Sequence, residues 1–215
     1  MKFQASYDAD LGETRIDITT NCYTDALPML STIIFRQQEI DLKSQALPLA
    51  CAILTAKYCG DSFEFVGTKI GNDYAEAIRM ILGEHVNITS VDGHHRTIST
   101  GEFDIVCEKA RADGRAPIAV RPKDTTALAR IDWSADFVTP QARSSSQHAF
   151  GAYHTNAEFF ADKTTVSIAL ALLHGRDRLR NLYVERAGDT PVANLNKISS
   201  SLNAVSVGLE LLEAA

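Results

Sequence analysis

The alternation of apolar and polar residues at the start of the chain is that of β-strands. Phe3, Ala5 and Tyr7 alternate with polar residues, and Ile16 and Ile18 do the same further on. The polar, glycine-bearing segment DADLGE separates the two runs. Apolar side chains at every second position lie on one face of a strand, so the pattern predicts an N-terminal antiparallel β-hairpin.

The next part of the chain is predicted to run helix, strand, helix, strand. The segment ALPLACAILTAKYCGD has almost no polar side, and Pro48 suits its first turn, so it predicts a helix buried all round. SFEFV alternates as a strand, and GNDYAEAIRMILGE is an amphipathic helix that Asn72 or Asp73 can cap and Gly83 can end. HVNITSV is the following strand. The earlier segment LPMLSTIIF fits either a short helix or a buried strand.

A strand–helix–strand order of this length favours parallel pairing. Three further apolar segments, FDIVC, APIAV and ALARIDW, precede a helix within DKTTVSIALALLHG and a strand at NLYVER. We therefore expect one globular α/β domain over residues 1–215, with no internal repeat. Its mixed sheet has central parallel βαβ pairs and an N-terminal antiparallel hairpin, with helices packed on the sheet. Ligands of such sheets bind beyond the carboxyl ends of the strands, here after Val66, after Val138 and after LYVER.

The last segment is predicted to be one C-terminal helix with a narrow apolar stripe. Its apolar residues recur every three or four positions, which is a helical spacing. They are Leu195, Ile198, Leu202, Val205, Leu209 and Leu212. The stripe can dock on the protein's own sheet, or Leu202 and Leu209 can form the seam of a homo-oligomer.

The stretch SVDGHHRT contains two adjacent histidines that resemble metal ligands. Asp-Gly between β-prone runs is a strong signal for a two-residue hairpin turn, here at Asp92 and Gly93. Successive strand residues face opposite sides of a sheet, so His94 and His95 would then point apart. The sequence therefore predicts a turn at this position. It indicates no metal site and identifies no cofactor.

Composition narrows the classes of partner. The chain of 215 residues carries a formal net charge of −6, so it lacks the overall positive field of nucleic-acid-binding proteins. It has no polybasic segment and no apolar run near the ~20 residues of a membrane span. We expect no secretory signal, because the first residues contain no apolar run of the kind such signals need. Four widely spaced cysteines suit a reducing compartment. We expect a cytoplasmic protein that binds neither nucleic acid nor membrane.

The stretch TPQARSSSQHAFGAYHTN is predicted to be a long polar loop at about 139–156. Loops of this length in a compact domain are often functional, although a plain polar surface loop is the alternative. His148 and His154 can act as acid or base, and Ser145 is a candidate nucleophile if a base activates it. Arg143 can bind an anion.

A second cationic segment, GRDRLRN, follows the predicted helix DKTTVSIALALLHG. Arg176 and Arg178 in this segment are candidates for binding an anionic ligand. The alternative is structural, because cations near the carboxyl end of a helix interact favourably with its dipole.

These features leave three hypotheses and do not decide whether the protein is an enzyme. The first is a cytoplasmic enzyme or ligand-binding domain that acts on a small anionic metabolite. The second is a non-enzymatic subunit of a homo-oligomer or larger complex, based on the C-terminal stripe. The third is a metal-dependent hydrolase built from scattered histidines and aspartates.

Overall fold

The fold is described from a computed structural model. It describes residues 1–36, 40–93, 99, 101, 103–107, 115–122, 129–134, 149–186 and 190–212. The backbone alone is described for strand residues 103, 106–107, 115–122, 129–134, 149–154 and 185.

Thirteen strands and four α-helices are found in the described residues. The strands are β1 (Lys2–Asp8), β2 (Glu13–Thr19), β3 (Thr32–Arg36), β4 (Ser62–Val66), β5 (Ile70–Gly71), β6 (Asn87–Ile88), β7 (Val91–Asp92), β8 (Phe103–Cys107), β9 (Arg115–Pro122), β10 (Ala129–Ser134), β11 (Ala149–Thr155), β12 (Leu179–Glu185) and β13 (Gly208–Leu212). The helices are α1 (Ala46–Thr55), α2 (Asn72–Leu82), α3 (Lys163–Gly175) and α4 (Val192–Ala204).

Eleven of these strands form one mixed sheet in the order β13-β12-β8-β9-β10-β11-β3-β2-β1-β4-β6. The predicted α/β class, with a mixed sheet and helices packed on it, is confirmed. The predicted N-terminal hairpin is also confirmed, because β1 and β2 pair antiparallel with Phe3 opposite Ile18 and Ala5 opposite Ile16. The ambiguous segment LPMLSTIIF ends in a strand, β3, which pairs antiparallel with β2.

The predicted βαβ unit is β4–α2–β6, in which β4 and β6 pair in parallel. Helix α2 ends at Gly83 as expected, with φ at 120° and the Gly83 N–H bonded to the Arg79 carbonyl at 2.7 Å. The predicted cap was wrong. The helix begins directly after strand β5, so Gly71 is the N-cap residue and makes no side-chain cap bond. The Asn72 amide instead donates to the Gly93 carbonyl at 3.3 Å.

The predicted two-residue turn at Asp92 and Gly93 was also wrong. Asp92 lies in β7, which pairs in parallel with β5, and Gly93 does not adopt the positive φ that such a turn needs. The chain bends earlier, at Ser90, where φ is 66°. A distant parallel partner has therefore overridden the local hairpin signal. His94 and His95 lie outside the described residues.

The predicted C-terminal helix ends earlier than its apolar stripe. Helix α4 stops at Ala204, Ser206 takes a φ of 63°, and the chain continues as β13, parallel to β12. Leu202 is fully buried inside its own chain, and Leu209 packs against the core from a strand. Neither residue forms the exposed helical seam that the homo-oligomer hypothesis required.

The two halves of the chain share one topology, a repeat that the sequence does not show. In the first half, antiparallel β1-β2-β3 is followed by α1, by β4 parallel to β1, by α2, and by β6 parallel to β4. In the second, β8-β9-β10 is followed by α3, by β12 parallel to β8, by α4, and by β13 parallel to β12. Equivalent helices pack together, α1 on α3 and α2 on α4. Among the described strands, β11 is the addition in the second half, and the separate β5–β7 pair is the addition in the first.

The core is built around α1 and α3. All ten residues of α1 are buried, as the sequence predicts, and α3 is buried over most of its length. A helix without a polar face is stable only when neighbours cover it on every side. The two helices therefore pack against each other, with α2 beside α1 and strands β8 and β12 beside α3.

His174 lies in the last turn of α3, where burial affects its charge. Burial, and secondarily the positive charge of Arg176, lower the pKa of His174 from its ordinary 6.5 to about 4. The unfolded chain therefore takes up this proton more readily than the folded chain. The contribution of the neutral, buried His174 to the free energy of unfolding is therefore complete above pH 6.5. It is lost as the pH falls towards 4.

We expect the free energy of unfolding to fall by up to about 3 kcal/mol between pH 7 and pH 4 because of this histidine. His174→Gln should remove that part of the pH dependence, measured by urea unfolding at a series of pH values. The control is His85→Gln, since His85 is exposed. Equal pH dependence in the His174 variant and the wild type would contradict the assignment.

Candidate functional site

A cavity of about 460 Å³ opens where four helix ends meet. The carboxyl ends of α1 and α2 and the amino ends of α3 and α4 form its walls. The lining residues are Ile53, Leu54, Ala56, Lys57, Ile81, Leu82, Phe160, Ala161, Asp162, Thr165, Asn194, Lys197 and Ile198. Sites between packed helices, and cavities of roughly 300–1,000 Å³, are typical of small-molecule binding.

The cavity has an apolar floor and a polar rim. The buried side chains that line it include Leu54, Phe160 and Ile198. Lys57 and Lys197 are exposed and stand at the rim. The Lys57 ammonium also lies 4.8 Å from the centre of the adjacent Tyr58 ring. An apolar surface below a few polar groups suits a ligand with an apolar body and a charged end.

Asp162 forms the acidic part of the wall, and its oxygens are already engaged. Its carboxylate caps α3 by accepting the Thr165 N–H at 3.0 Å and the Thr165 hydroxyl at 2.7 Å. It also accepts the hydroxyl of Thr190 at 2.6 Å. The lining set thus holds two lysines and one aspartate, which leaves one excess positive charge. This local sign is opposite to the net charge of −6 of the whole chain.

Arg186 adds a third cation, behind this wall. Its Nη2 donates to the Thr190 carbonyl at 3.0 Å, and Thr190 in turn bonds Asp162. The Arg186 Nε is buried and has no hydrogen-bond partner in the described structure. A buried donor of this kind is costly unless something accepts from it. The positive charge of the region therefore extends below the surface.

Glu158 lies on the short 3-10 turn, Ala157–Phe159, that precedes Phe160 of the floor. Burial raises the pKa of Glu158, and the positive charge of Lys163 partly opposes that effect. Its Oε1 is buried and has no hydrogen-bond partner among the described residues. A carboxyl group in such surroundings holds its proton more strongly than an exposed one.

The candidate residues of the long polar loop are only partly placed. Arg143, Ser145 and His148 lie outside the described residues. The end of that stretch was wrongly taken as loop, because residues 149–155 form strand β11. Its aromatic residues favour a strand despite the polar flanks. The backbone of His154 pairs with Arg36 of β3.

Arg176 and Arg178 lie away from the cavity. They follow the carboxyl end of α3, whereas the cavity lies at its amino end, and a helix of this length spans about 20 Å. Both side chains are exposed, and Arg176 Nη1 is 3.6 Å from Asp41 Oδ2. Asp41 follows Arg36 by five residues, which span at most about 18 Å. The structure thus pairs Arg176 with Asp41 and places it away from the cavity.

Sequence reasoning did not select the residues of the cavity. Lys57 lies in the turn just after α1 and Lys197 lies on α4, and both resemble ordinary surface lysines. Asp162 offered one signal, because an aspartate directly before an apolar helical run is a typical N-cap. The cavity itself depends on how four elements meet, and no local pattern encodes that.

Two kinds of functional feature are absent from the described part of the chain. No three histidine, cysteine, aspartate or glutamate side chains there are placed to hold a metal ion. No helix there is both long and apolar enough to cross a membrane. The hypothesis of a metal-dependent hydrolase therefore gains no ligand set from these residues.

Comparisons with known proteins found no relative. No family model matches the chain, and no curated protein or solved structure is significantly similar to it. The function must therefore be inferred from the chain's own geometry.

Asp162→Ala should lower the free energy of unfolding by about 2 kcal/mol, because it removes the cap of α3 and leaves the buried Thr190 hydroxyl without its acceptor. Asp162→Asn should cost less, since it keeps a side-chain oxygen that can accept. Urea unfolding measures both. Asp10→Ala, in an exposed turn, is the control with the same change of charge. If Asp162→Ala were as stable as the Asp10→Ala control, the role given to Asp162 would be refuted.

Proposed function

We propose that the protein binds a small amphipathic anion in the cavity between the four helix ends. The observation that supports this is the apolar floor beneath two lysine side chains. A carboxylate, sulfonate or phosphate group of the ligand would lie at the rim beside Lys57 and Lys197. Its apolar part would lie on the buried side chains, where it replaces contacts with water.

The charge balance of the site favours an anion over a cation. The carboxylate of Asp162 already accepts three hydrogen bonds, so it offers little to a bound cation. The two lysines are exposed and carry charges that an anion can neutralise. Each such exposed contact contributes modestly, up to about 1 kcal/mol, so the apolar floor must supply much of the affinity.

The long polar stretch is a second place where the same class of ligand could bind. Arg143 and His148, with Ser145 and His154, carry the cation and titratable groups for a small anionic metabolite. This placement competes with the cavity, and one experiment separates the two.

The test is a fluorescence titration with anilinonaphthalene sulfonate, an amphipathic anion. We expect one site in the wild type. The double variant Lys57→Ala/Lys197→Ala should bind about tenfold more weakly, because two charge contacts with the sulfonate are lost. Ala161→Phe should abolish binding by filling the cavity.

The matched control is Lys2→Ala/Lys43→Ala, which makes the same change in net charge away from the cavity. Thermal unfolding verifies that each variant is folded. If Lys57→Ala/Lys197→Ala bound the dye as tightly as the control, the cavity would be rejected as the binding site. Loss of binding in Arg143→Ala/His148→Ala, with the cavity variants unchanged, would assign the ligand to the polar stretch instead.

Self-association is the second candidate function, supported by strand β13. In the described sheet this strand stands at the edge and pairs with β12 alone. Leu211 on it is 40% exposed, and Glu210 is its single charged residue. Edge strands usually carry lysine, proline or a bulge that blocks further pairing, and β13 has none of these. An added strand from a second copy would satisfy this edge.

Leu211→Lys places a charge on this edge and should prevent such pairing. Light scattering over a range of concentrations should show the wild type forming dimers and the variant remaining monomeric. Leu11→Lys, at an exposed leucine of the first hairpin turn, is the matched control. A wild type that stays monomeric at the highest concentration would eliminate this candidate.

A further inference from the structure

Two cysteines lie close together at a contact between two segments of the first half. Cys22 lies near the start of the loop between β2 and β3, and Cys59 lies in the connection between α1 and β4. Both sulfurs contact Ser62. The Ser62 carbonyl accepts a hydrogen bond from Cys59 Sγ at 3.3 Å, and the Ser62 hydroxyl lies 3.9 Å from Cys22 Sγ. One residue thus brings the two thiols to the same place.

The backbones around the two thiols are held side by side. The Ala26 N–H donates to the Tyr58 carbonyl at 2.8 Å, so the loop runs along the turn. Thr24 packs so closely on Gly60 that a Cβ at Gly60 would lie 2.6 Å from the Thr24 carbonyl carbon. Asp25 bonds the Gly60 N–H at 2.8 Å and strengthens the same contact. A disulfide requires such close backbones, since its Cα atoms lie about 4.4–6.8 Å apart.

The surroundings of Cys22 favour its reactive form. The thiol is partly exposed, and its sulfur lies 3.1 Å from the Thr24 hydroxyl. Donation by that hydroxyl to the thiolate is the main cause that lowers the pKa of Cys22. The same hydroxyl also reaches Asp61 Oδ2 at 3.0 Å, so it must turn from the carboxylate to the sulfur when the thiolate forms. The thiolate is the nucleophilic form of cysteine.

Cys59 and Cys51 have different surroundings. Burial raises the pKa of Cys59 to about 11, so this thiol stays protonated until it reacts. Cys51 is fully buried in α1, and burial raises its pKa further still. Of these three thiols, an oxidant therefore reaches Cys22 first, and Cys59 is the neighbouring thiol that can respond. Reactive thiols that sense oxidants combine these features: an accessible thiolate and a second thiol nearby.

We propose that Cys22 and Cys59 form a redox-active thiol pair that a hydroperoxide converts into an intramolecular disulfide. The Cys22 thiolate attacks the peroxide, forming an S–O bond while the O–O bond breaks, and the leaving alkoxide is protonated to an alcohol or to water. The sulfur of Cys59 then attacks the sulfenic acid sulfur. An S–S bond forms, the S–O bond breaks, and hydroxide leaves as water with the Cys59 proton. Two thiols are oxidised and one hydroperoxide is reduced.

The disulfide would tie the loop between β2 and β3 to the turn after α1. This loop carries three highly exposed apolar side chains: Tyr23 at 98%, Leu27 at 80% and Met29 at 79%. Exposed apolar groups on one segment are typical of contact surfaces. Oxidation would therefore fix the position of a potential contact surface without a change in the core.

To test the proposal, the full chain is treated with hydrogen peroxide and the remaining thiols are blocked with iodoacetamide. The peptides are then mapped by mass spectrometry without reduction. We expect loss of two hydrogen masses and a Cys22–Cys59 linked peptide, with Cys22 reacting about tenfold faster than Cys51. Cys59→Ser should stop the reaction at a sulfenic acid on Cys22, which dimedone traps. Thr24→Val should slow oxidation at Cys22 and shift its rate profile to higher pH.

Cys51→Ser and Cys107→Ser are the controls, and both should still form the Cys22–Cys59 bond. Thermal unfolding of each reduced variant verifies that it is folded. The proposal would be overturned if Cys22 were oxidised no faster than Cys51. It would also be overturned by a disulfide to Cys107, or by disulfides between chains in place of the internal bond. None of these results depends on the ligand of the cavity.

Discussion

The packing of α1 against α3 is the contact on which the rest of the structure depends. All residues of α1 are buried, and α3 is buried over eleven of its thirteen residues. A helix that is apolar all round cannot remain at a surface, because its exposed side chains would order water without compensation. One of these helices belongs to each half of the chain. Each half therefore covers apolar surface that the other half leaves exposed, which couples the two in one core.

This packing also determines where a cavity can form. The equivalent helices run antiparallel, so each end of the helix layer joins two carboxyl ends to two amino ends. The two ends are alike in topology but not in side chains. At the end formed by the amino ends of α3 and α4, the cavity is open above Phe160. At the other, the buried Tyr74 donates to Asp177 at 2.9 Å, and burial raises the pKa of Tyr74. The cavity is thus a property of the local side chains and not of the repeat.

Much of the fold could be predicted from the sequence, and the reason is periodicity. The strands of the hairpin, the buried helix α1 and the amphipathic α2 each bury a continuous face, which leaves a regular apolar pattern. The failures occurred where distant residues decide a local structure. Asp92 and Gly93 carry the composition of a turn, but Asp92 pairs with Gly71 of β5. The apolar stripe that includes Leu209 continues beyond the helix into a strand. The candidate cavity could not be predicted, because its two lysines, one just after α1 and one on α4, are far apart in the chain.

The two halves of the sheet meet where β11 pairs with β3, at His154. In the described residues β11 joins β3 by only two paired positions, His154 with Arg36 and Thr155 with Phe35. The side chain of Asn156 then continues the ladder where the strand ends. Its Oδ1 accepts the Ile34 N–H at 2.9 Å, and its Nδ2 donates to the Thr32 carbonyl at 2.8 Å. One amide thus replaces a further pair of strand bonds. The polar residues that resembled a loop are therefore, at this end, the junction that makes one sheet from two.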